Sequence, residues 1–219
     1  MSQPFRSPAD LGPLAEAVGS DWRSTRYYDA AEHDIDARWA SLIWPFIHGC
    51  DFAVCVDLAA GHGRNTRKLL ELPACGKVYL VDINQENIDF CSARFNNEPR
   101  VACIRNSGFE IEAVESASVT LVYSFDSMVH FDSDVVRSYL GEIGRILRPG
   151  GHAFLHHSNY IGNPGGDVHQ NPHWRNFMSA ELMVHYAAKE GLGTIRQQKL
   201  DWNHDGSYID CLSLLRLPI

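Results

Sequence analysis

Short apolar runs alternate with segments of helical periodicity along most of the chain. FAVCVDL (52–58), KVYLVDI (77–83), VACIR (101–105), VTLVYSF (119–125) and HAFLHH (152–157) have the length and β-branched content of buried strands. Between them, RNTRKLLEL (64–72), NQENIDFCSARF (84–95), DVVRSYLGEIGRIL (134–147) and SAELMVHYAAKEG (179–191) repeat apolar positions every three or four residues. Asn84 and Ser179 are N-cap residues, Gly191 closes the last helix, and Arg148-Pro149-Gly150-Gly151 ends the one before it. TIRQQKLDW (194–202) and SYIDCLSLLRL (207–217) flank the turn Asn203-His204-Asp205-Gly206 and read as a closing hairpin. Strands alternating with helices predict an α/β fold. Its sheet is doubly wound, seven-stranded and mostly parallel, with an antiparallel last strand.

The two ends of this pattern differ from its middle. Residues 1–20 are rich in Pro, Gly and Ala and predict a loose N-terminal arm with a short helix over 11–18. Residues 21–219 form a single domain. Within it, 21–48 is a helical cover crowded with Trp22, Tyr27, Tyr28, Trp39, Trp44 and Phe46, and Pro45 lies near its end. Segment 158–178 has no periodicity and is rich in Gly, Pro, Asn, His and Trp. A loop that long inside a compact domain predicts a lid-like insertion.

At 219 residues the chain suffices for one full-sized core. A net charge of -8 and the lack of any basic run make nucleic acid and anionic membranes poor partners. No stretch approaches the roughly 18 apolar residues of a membrane span. The start MSQPFRSPAD has no basic-then-apolar secretory pattern. The 6 cysteines form no CxxC pair, which fits a reducing cytoplasm. A small-molecule substrate is the expected partner; oligomeric state stays open, a homodimer included.

Candidate chemistry concentrates after the first strand. Val56-Asp57-Leu58-Ala59-Ala60-Gly61-His62-Gly63 joins a strand to a helix, and Gly61 and Gly63 let backbone approach a ligand. Asp82 ends the next strand, about 20 residues on, where an acid accepts ribose hydroxyls. A dinucleotide fingerprint would need a small residue where Thr66 stands, and Asp57 would repel a pyrophosphate. S-adenosylmethionine instead carries an amino group and a sulfonium, both compatible with Asp57.

On these residues the chain resembles the class I S-adenosylmethionine-dependent methyltransferases, a Rossmann-like fold, from about residue 54 to the end. VDLAAGHGRN looks like the family's first motif with Ala59 at its first glycine, YLVDIN like the second, LVYSFDSMVHF like the fourth-strand motif and RILRPGGHAFL like the turn into the fifth. The resemblance implies that Ala59, Gly61 and Gly63 flank the methionine moiety and Asp57 organises its ammonium. It also implies that Asp82 holds the ribose, Ile83 covers the adenine, Ser107 and Gly108 line the adenine edge, and Phe125 and Asp126 lie near the methyl group.

A hydroxyl acceptor needs a base, and His is the natural one near neutral pH. Of the 11 histidines, His157 and His130 are the candidates, with Asp126 to orient one. His156 and His157 are neighbours on a strand and point to opposite faces. Tyr27, Tyr160, His169, His173 and Trp174 are substrate candidates, and Asp126, His130 and Asp167 are candidates for a Mg2+ ion. The expected activity is O-methylation of a small molecule, a sugar or oligosaccharide foremost. The alternatives are N-methylation of a small amine, with Asp126 holding the cation, and a non-catalytic cofactor-binding regulator.

Overall fold

The computed structural model describes residues 7–23 and 25–219. Helices α1 (Pro8–Asp21) and α2 (Thr25–Arg38) open the chain. A π-helical turn over Trp39–Ile43 then leads into α3 (Trp44–Ile47). In a regular helix the Pro45 ring would strike the carbonyl four residues back; the wider turn before it relieves that clash. The short helix expected over 11–18 is thus present and longer, taking in most of the arm. Residues 1–6 of that arm lie outside the described residues. Ser7 and Asp10 start α1 with a reciprocal capping box.

The core follows the predicted alternation: β1 (Val54–Leu58), α4 (Arg64–Leu70), β2 (Lys77–Asp82), α5 (Gln85–Arg94), β3 (Val101–Arg105), β4 (Val119–Ser124) and α6 (Ser133–Ile146). Then come β5 (Leu147–Ser158), α7 (Ala180–Lys189), β6 (Gly193–Leu200) and β7 (Asp210–Arg216). The strands form one sheet in the order β3-β2-β1-β4-β5-β7-β6. β7 runs antiparallel to both β5 and β6, and the remaining pairs are parallel. One expectation shifts: Arg148–Gly151 lie inside β5, which begins directly after α6.

Period-2 alternation assigns the two faces. Val56, Leu58, Val122, Ala153 and Leu155 face α1, α6 and α7. Cys55, Leu121, Tyr123 and Phe154 face the cover made by α2, the π-turn, α3 and α4, where Ile35, Trp39, Ile43, Phe46 and Ile47 are buried. The sheet is therefore covered on both sides, as apolar parallel strands require. Strand order reverses between β1 and β4, which opens a crevice at their carboxyl ends. Among the described residues, no helix is long and apolar enough to cross a membrane.

Candidate functional site

A cleft of about 900 Å³, its mouth included, lies over those strand ends. The loops after β1, β2, β3 and β4 form its floor, and α1 and α2 roof it. Ala15, Gly19, Trp22, Tyr27 and Tyr28 come from the roof.

The glycine loop is only partly at the ligand surface. Ala59 and Gly61 line the cleft, both at positive φ, 56° and 55°. Gly63 does not line it. A Cβ there would meet the Phe95 ring at 2.6 Å, so this glycine serves the packing of α4 on α5. Above Gly61 lies the Tyr28 ring, 2.3 Å from where a Cβ would stand. The Tyr28 hydroxyl donates to the Trp22 carbonyl at 2.6 Å, and its ring stacks on His62 at 4.2 Å.

Asp82 sits in the cleft wall, 5% exposed. Its Oδ2 accepts from the Gly61 N–H at 2.8 Å; its Oδ1 accepts from the Asn84 N–H at 2.9 Å and from Asn87 Nδ2 at 3.1 Å. A carboxylate offers about four acceptor positions, so one, on Oδ2, is left. Asp82 thus has room for one ribose hydroxyl rather than both; Asn84, also in the lining, donates its Nδ2 to the Gly19 carbonyl. Burial raises the Asp82 pKa against these hydrogen bonds. Ile83 and Gly108 line the same end. Ser107 does not: its hydroxyl accepts from the Glu110 N–H, and Asn106 faces the cleft instead.

Asp57 is fully buried and absent from the lining. Its Oδ2 accepts from the Thr66 hydroxyl at 2.7 Å, and Oδ1 has no partner. Burial pushes its pKa up to about 7. Asp57 therefore braces the loop from below, next to the methionine position the resemblance implies.

At the end of β4, Phe125 and Asp126 both line the cleft. Asp126 takes a φ of 68°. Its carboxylate accepts from the Tyr27 hydroxyl and from Arg64 Nη2 at 2.8 Å, and its N–H donates to His156 Nδ1 at 3.1 Å. Burial opposes ionisation of Asp126, but His156 and Arg64 outweigh it and hold the pKa below the usual value. Burial pushes the Tyr27 phenol upward, and the Asp126 charge adds to it.

The two histidine candidates separate cleanly. His130 lines the cleft, 6% exposed, with its ring 4.6 Å from that of Trp22. Its Nδ1 lies 2.8 Å from the Trp174 carbonyl, which can only accept. The proton is therefore on Nδ1, and Nε2 keeps its lone pair. Desolvation holds the ring neutral, with its pKa down at about 4. His157, the other candidate, is fully buried on the α7 face of the sheet and does not reach the cleft. Its Nδ1 donates to the Ser158 carbonyl, and the Ser213 hydroxyl donates to its Nε2, both at 2.8 Å. With both nitrogens satisfied and its pKa also near 4 through burial, it is a packing residue. His156 points to the opposite face, beside Phe125 and Trp202.

The insertion touches the roof but does not line the cleft. Tyr160, His169, His173 and Trp174 are all outside the lining. Tyr160 bridges to Phe177. His169 stands between Asp167 and Asp21, 2.7 Å from each, and the Trp174 ring packs 5.8 Å from Trp22. His173 is exposed, at a φ of 50°. Asp167 is therefore not gathered with Asp126 and His130. Among the described residues no cluster of three or more His, Cys, Asp or Glu could hold a metal ion.

Sequence reasoning missed Arg64, the one Lys or Arg side chain in the described lining; it expected a helix over 11–18, a helical cover over 21–48 and Tyr27 at the substrate, but not that α1 lines the cleft. A signal for α1 was present: Gly12, Ala15 and Gly19 fall on one helical face. A Cβ on Gly19 would meet Ile83 at 2.8 Å, and one on Gly108 would meet Ala15 at 2.7 Å. Only small residues let α1 lie so close.

Residues 55–151 match a family model described as methyltransferase domain. Residues 55–151 thus mark a methyltransferase domain, and the chain has the fold of the S-adenosylmethionine-dependent methyltransferases. Solved structures of similar fold bear out the architecture. Geranyl diphosphate C-methyltransferase from Streptomyces coelicolor A3(2), in complex with Mg2+, geranyl-S-thiolodiphosphate and S-adenosyl-L-homocysteine, is 14% identical with a TM-score of 0.73. That match covers 97% of this chain and 100% of that one. A chain of the complex between the Haloferax volcanii Trm112 methyltransferase activator and a methyltransferase is 16% identical, TM-score 0.68, covering 92% and 98%. The [4+2]-cyclase SpnF is 11% identical, TM-score 0.66, covering 83% and 80%. No curated protein matches the chain in sequence.

The residues present fit an S-adenosyl cofactor. Asp82 keeps an open acceptor position, and Asn84, Ile83, Asn106 and Gly108 frame an adenosine. The unpartnered Asp57 Oδ1 lies beneath the loop, outside the lining.

Proposed function

We propose that the enzyme methylates a hydroxyl oxygen of a small molecule, with His130 as the general base. His130 carries this reading. It is the cleft histidine whose Nδ1 is committed to a backbone carbonyl, so that Nε2 is the accepting nitrogen. When bound, the cofactor supplies an activated methyl group on a sulfonium. With that methyl in place, the acceptor oxygen would take it as the carbon–sulfur bond breaks, and His130 Nε2 would accept the hydroxyl proton. The nearby Asp126 and Asp210 charges favour the imidazolium so formed, against the desolvation that disfavours it. Phe125 and Asp126 at the end of β4 bound the reacting centre, and roof residues exclude water from it.

The amine alternative is weaker. Asp126 would have to hold the substrate cation, and its carboxylate is already matched by Arg64. The sugar reading loses support too, because Tyr160, His169, His173 and Trp174 stand outside the cleft. Trp22, Tyr27, Phe131 and His130 remain around the acceptor end and favour a hydroxyl compound with a flat or apolar part.

S-adenosylhomocysteine should raise Tm where NAD at equal concentration does not. Cofactor turnover is then followed over a panel of phenols, sugars, other alcohols and amines. Turnover on hydroxyl compounds should fall roughly 100–10,000-fold in His130→Gln, with S-adenosylhomocysteine affinity unchanged. Turnover on amines alone, or a His130→Gln variant within a few-fold of wild type, would overturn the assignment.

A further inference from the structure

We propose that Asp210, a buried carboxylate outside the cleft, is a positioning residue that sets the orientation and tautomer of His130 and the backbone of Asp126. The proposal rests on His130 being the cleft base. Asp210 is 0% exposed at the start of β7. Its Oδ1 accepts from Arg175 Nε at 2.6 Å; its Oδ2 accepts from Arg175 Nη2 at 2.7 Å and from Trp202 Nε1 at 2.6 Å. His156 Nε2 lies 3.2 Å from Oδ2. Three separate segments thus meet on one carboxylate: the insertion, the β6–β7 loop and β5.

Two of those links run on to the cleft. Arg175 directly follows Trp174, whose carbonyl holds His130 Nδ1–H at 2.8 Å. The planar, two-point grip on Arg175 fixes that stretch of backbone, and Asn171 Nδ2 adds a hydrogen bond to the Arg175 carbonyl at 2.8 Å. On the other side His156 Nδ1 accepts from the Asp126 N–H at 3.1 Å, so the proton is on Nε2, close to Asp210 Oδ2 but without hydrogen-bond geometry to it. This holds Asp126 at its positive φ of 68°. A buried ion pair adds little net stability over an apolar replacement. What this one supplies is a defined geometry for two cleft residues it does not touch.

The test is the tautomer of His130 in the full chain, read from ring-nitrogen NMR of protein labelled at histidine, with the His130 signals assigned by loss in His130→Gln. Wild type should show His130 protonated on Nδ1 alone. Asp210→Asn and Arg175→Lys should each give a mixture of Nδ1–H and Nε2–H forms, while the remote His48 keeps its wild-type signals. Arg175→Lys keeps the charge and loses the planar grip, so it decides the matter if Asp210→Asn does not fold. A folded variant in which His130 keeps its single wild-type tautomer would overturn the proposal. The base assignment fails separately, through undiminished turnover in His130→Gln, and that result would leave the tautomer measurement standing.

Discussion

Asp82 uses three of its acceptor positions inside the protein and leaves one for a ligand. Its replacement is thus never a pure binding change. In Asp82→Asn one oxygen becomes an amide that donates, and it must face either the Gly61 N–H or the Asn84 N–H. Hydrogen bonds to a charged group are worth roughly 1.5–3 kcal/mol each. S-adenosylhomocysteine affinity by calorimetry should fall at least tenfold, and Tm should fall with it. Unchanged affinity would remove Asp82 from the cofactor site. A second residue-scale expectation concerns Arg64 and Asp126, paired at 2.8 Å with side chains 9% and 20% exposed. Removing one member of a buried pair costs about 3–5 kcal/mol, and removing both costs much less than the sum. Urea unfolding of Arg64→Met, Asp126→Leu and the double variant should show that coupling; additive losses would deny it. At this scale the sequence is a poor guide. Asp82 and Gly61 could be placed from spacing along strands and turns, whereas Ile83, Phe125 and Asp126 followed only from the resemblance. His157 looked equivalent to His130, because nothing local says which face of β5 turns toward the crevice. Ser107 and Asn106 likewise differ only by which way a loop points.

The elements were far more legible than the side chains. Each strand from β1 to β4 and each helix from α4 to α7 is local in its signal: a run of apolar residues, a cap, a glycine stop. The closing hairpin and its antiparallel edge followed from two strand patterns around one turn. The docking of α1 over the site was not legible, since α1 is held by contacts with loops far along the chain. Asn84 Nδ2 donates to the Gly19 carbonyl at 2.8 Å, and Leu11 and Ala15 are buried in the main core. Its Pro and Gly content pointed to an arm because propensity alone gives little weight to such packing. The close approach of α1 is the testable point. Gly19→Leu places a branched side chain where even a Cβ is 2.8 Å from Ile83. α1 should then lift from the cleft, with S-adenosylhomocysteine binding at least tenfold weaker and faster amide exchange confined to residues 8–21. Because the sheet and its other helices are untouched, the loss in Tm should be small. Global destabilisation without selective exchange in α1 would mean that the helix is an integral part of the fold rather than a cover on the site.

Acid sensitivity belongs to the molecule as a whole, because groups in separate layers pull in opposite directions. His130 and His157 are buried neutral, with pKa values near 4 in the folded state. In the unfolded chain each titrates near about 6.5. Between those values the unfolded state binds more protons, so both histidines make stability fall as pH drops from about 6.5 to 4, by roughly 3 kcal/mol each at the limit. Asp57 has the other sign. Its folded pKa is about 7, against an unfolded value of about 3.9. The folded state holds the extra proton, and Asp57 makes stability rise on acidification through the same window. Two protons taken up and one released leave a net uptake of about one proton on unfolding between pH 4 and 6.5 from these three groups. Together these groups should make urea-derived stability decline toward acid across that range, by about one proton's contribution per pH unit. Asp57→Asn removes the opposing group and should roughly double that contribution. His157→Gln should flatten it toward zero, and it should leave turnover intact because His157 does not line the cleft. A slope that ignores Asp57→Asn would mean that the Asp57 carboxylate is ionised in the folded protein. The loop over it would then be braced by a charge rather than by a shared proton, and the unpartnered Oδ1 would already have its cation.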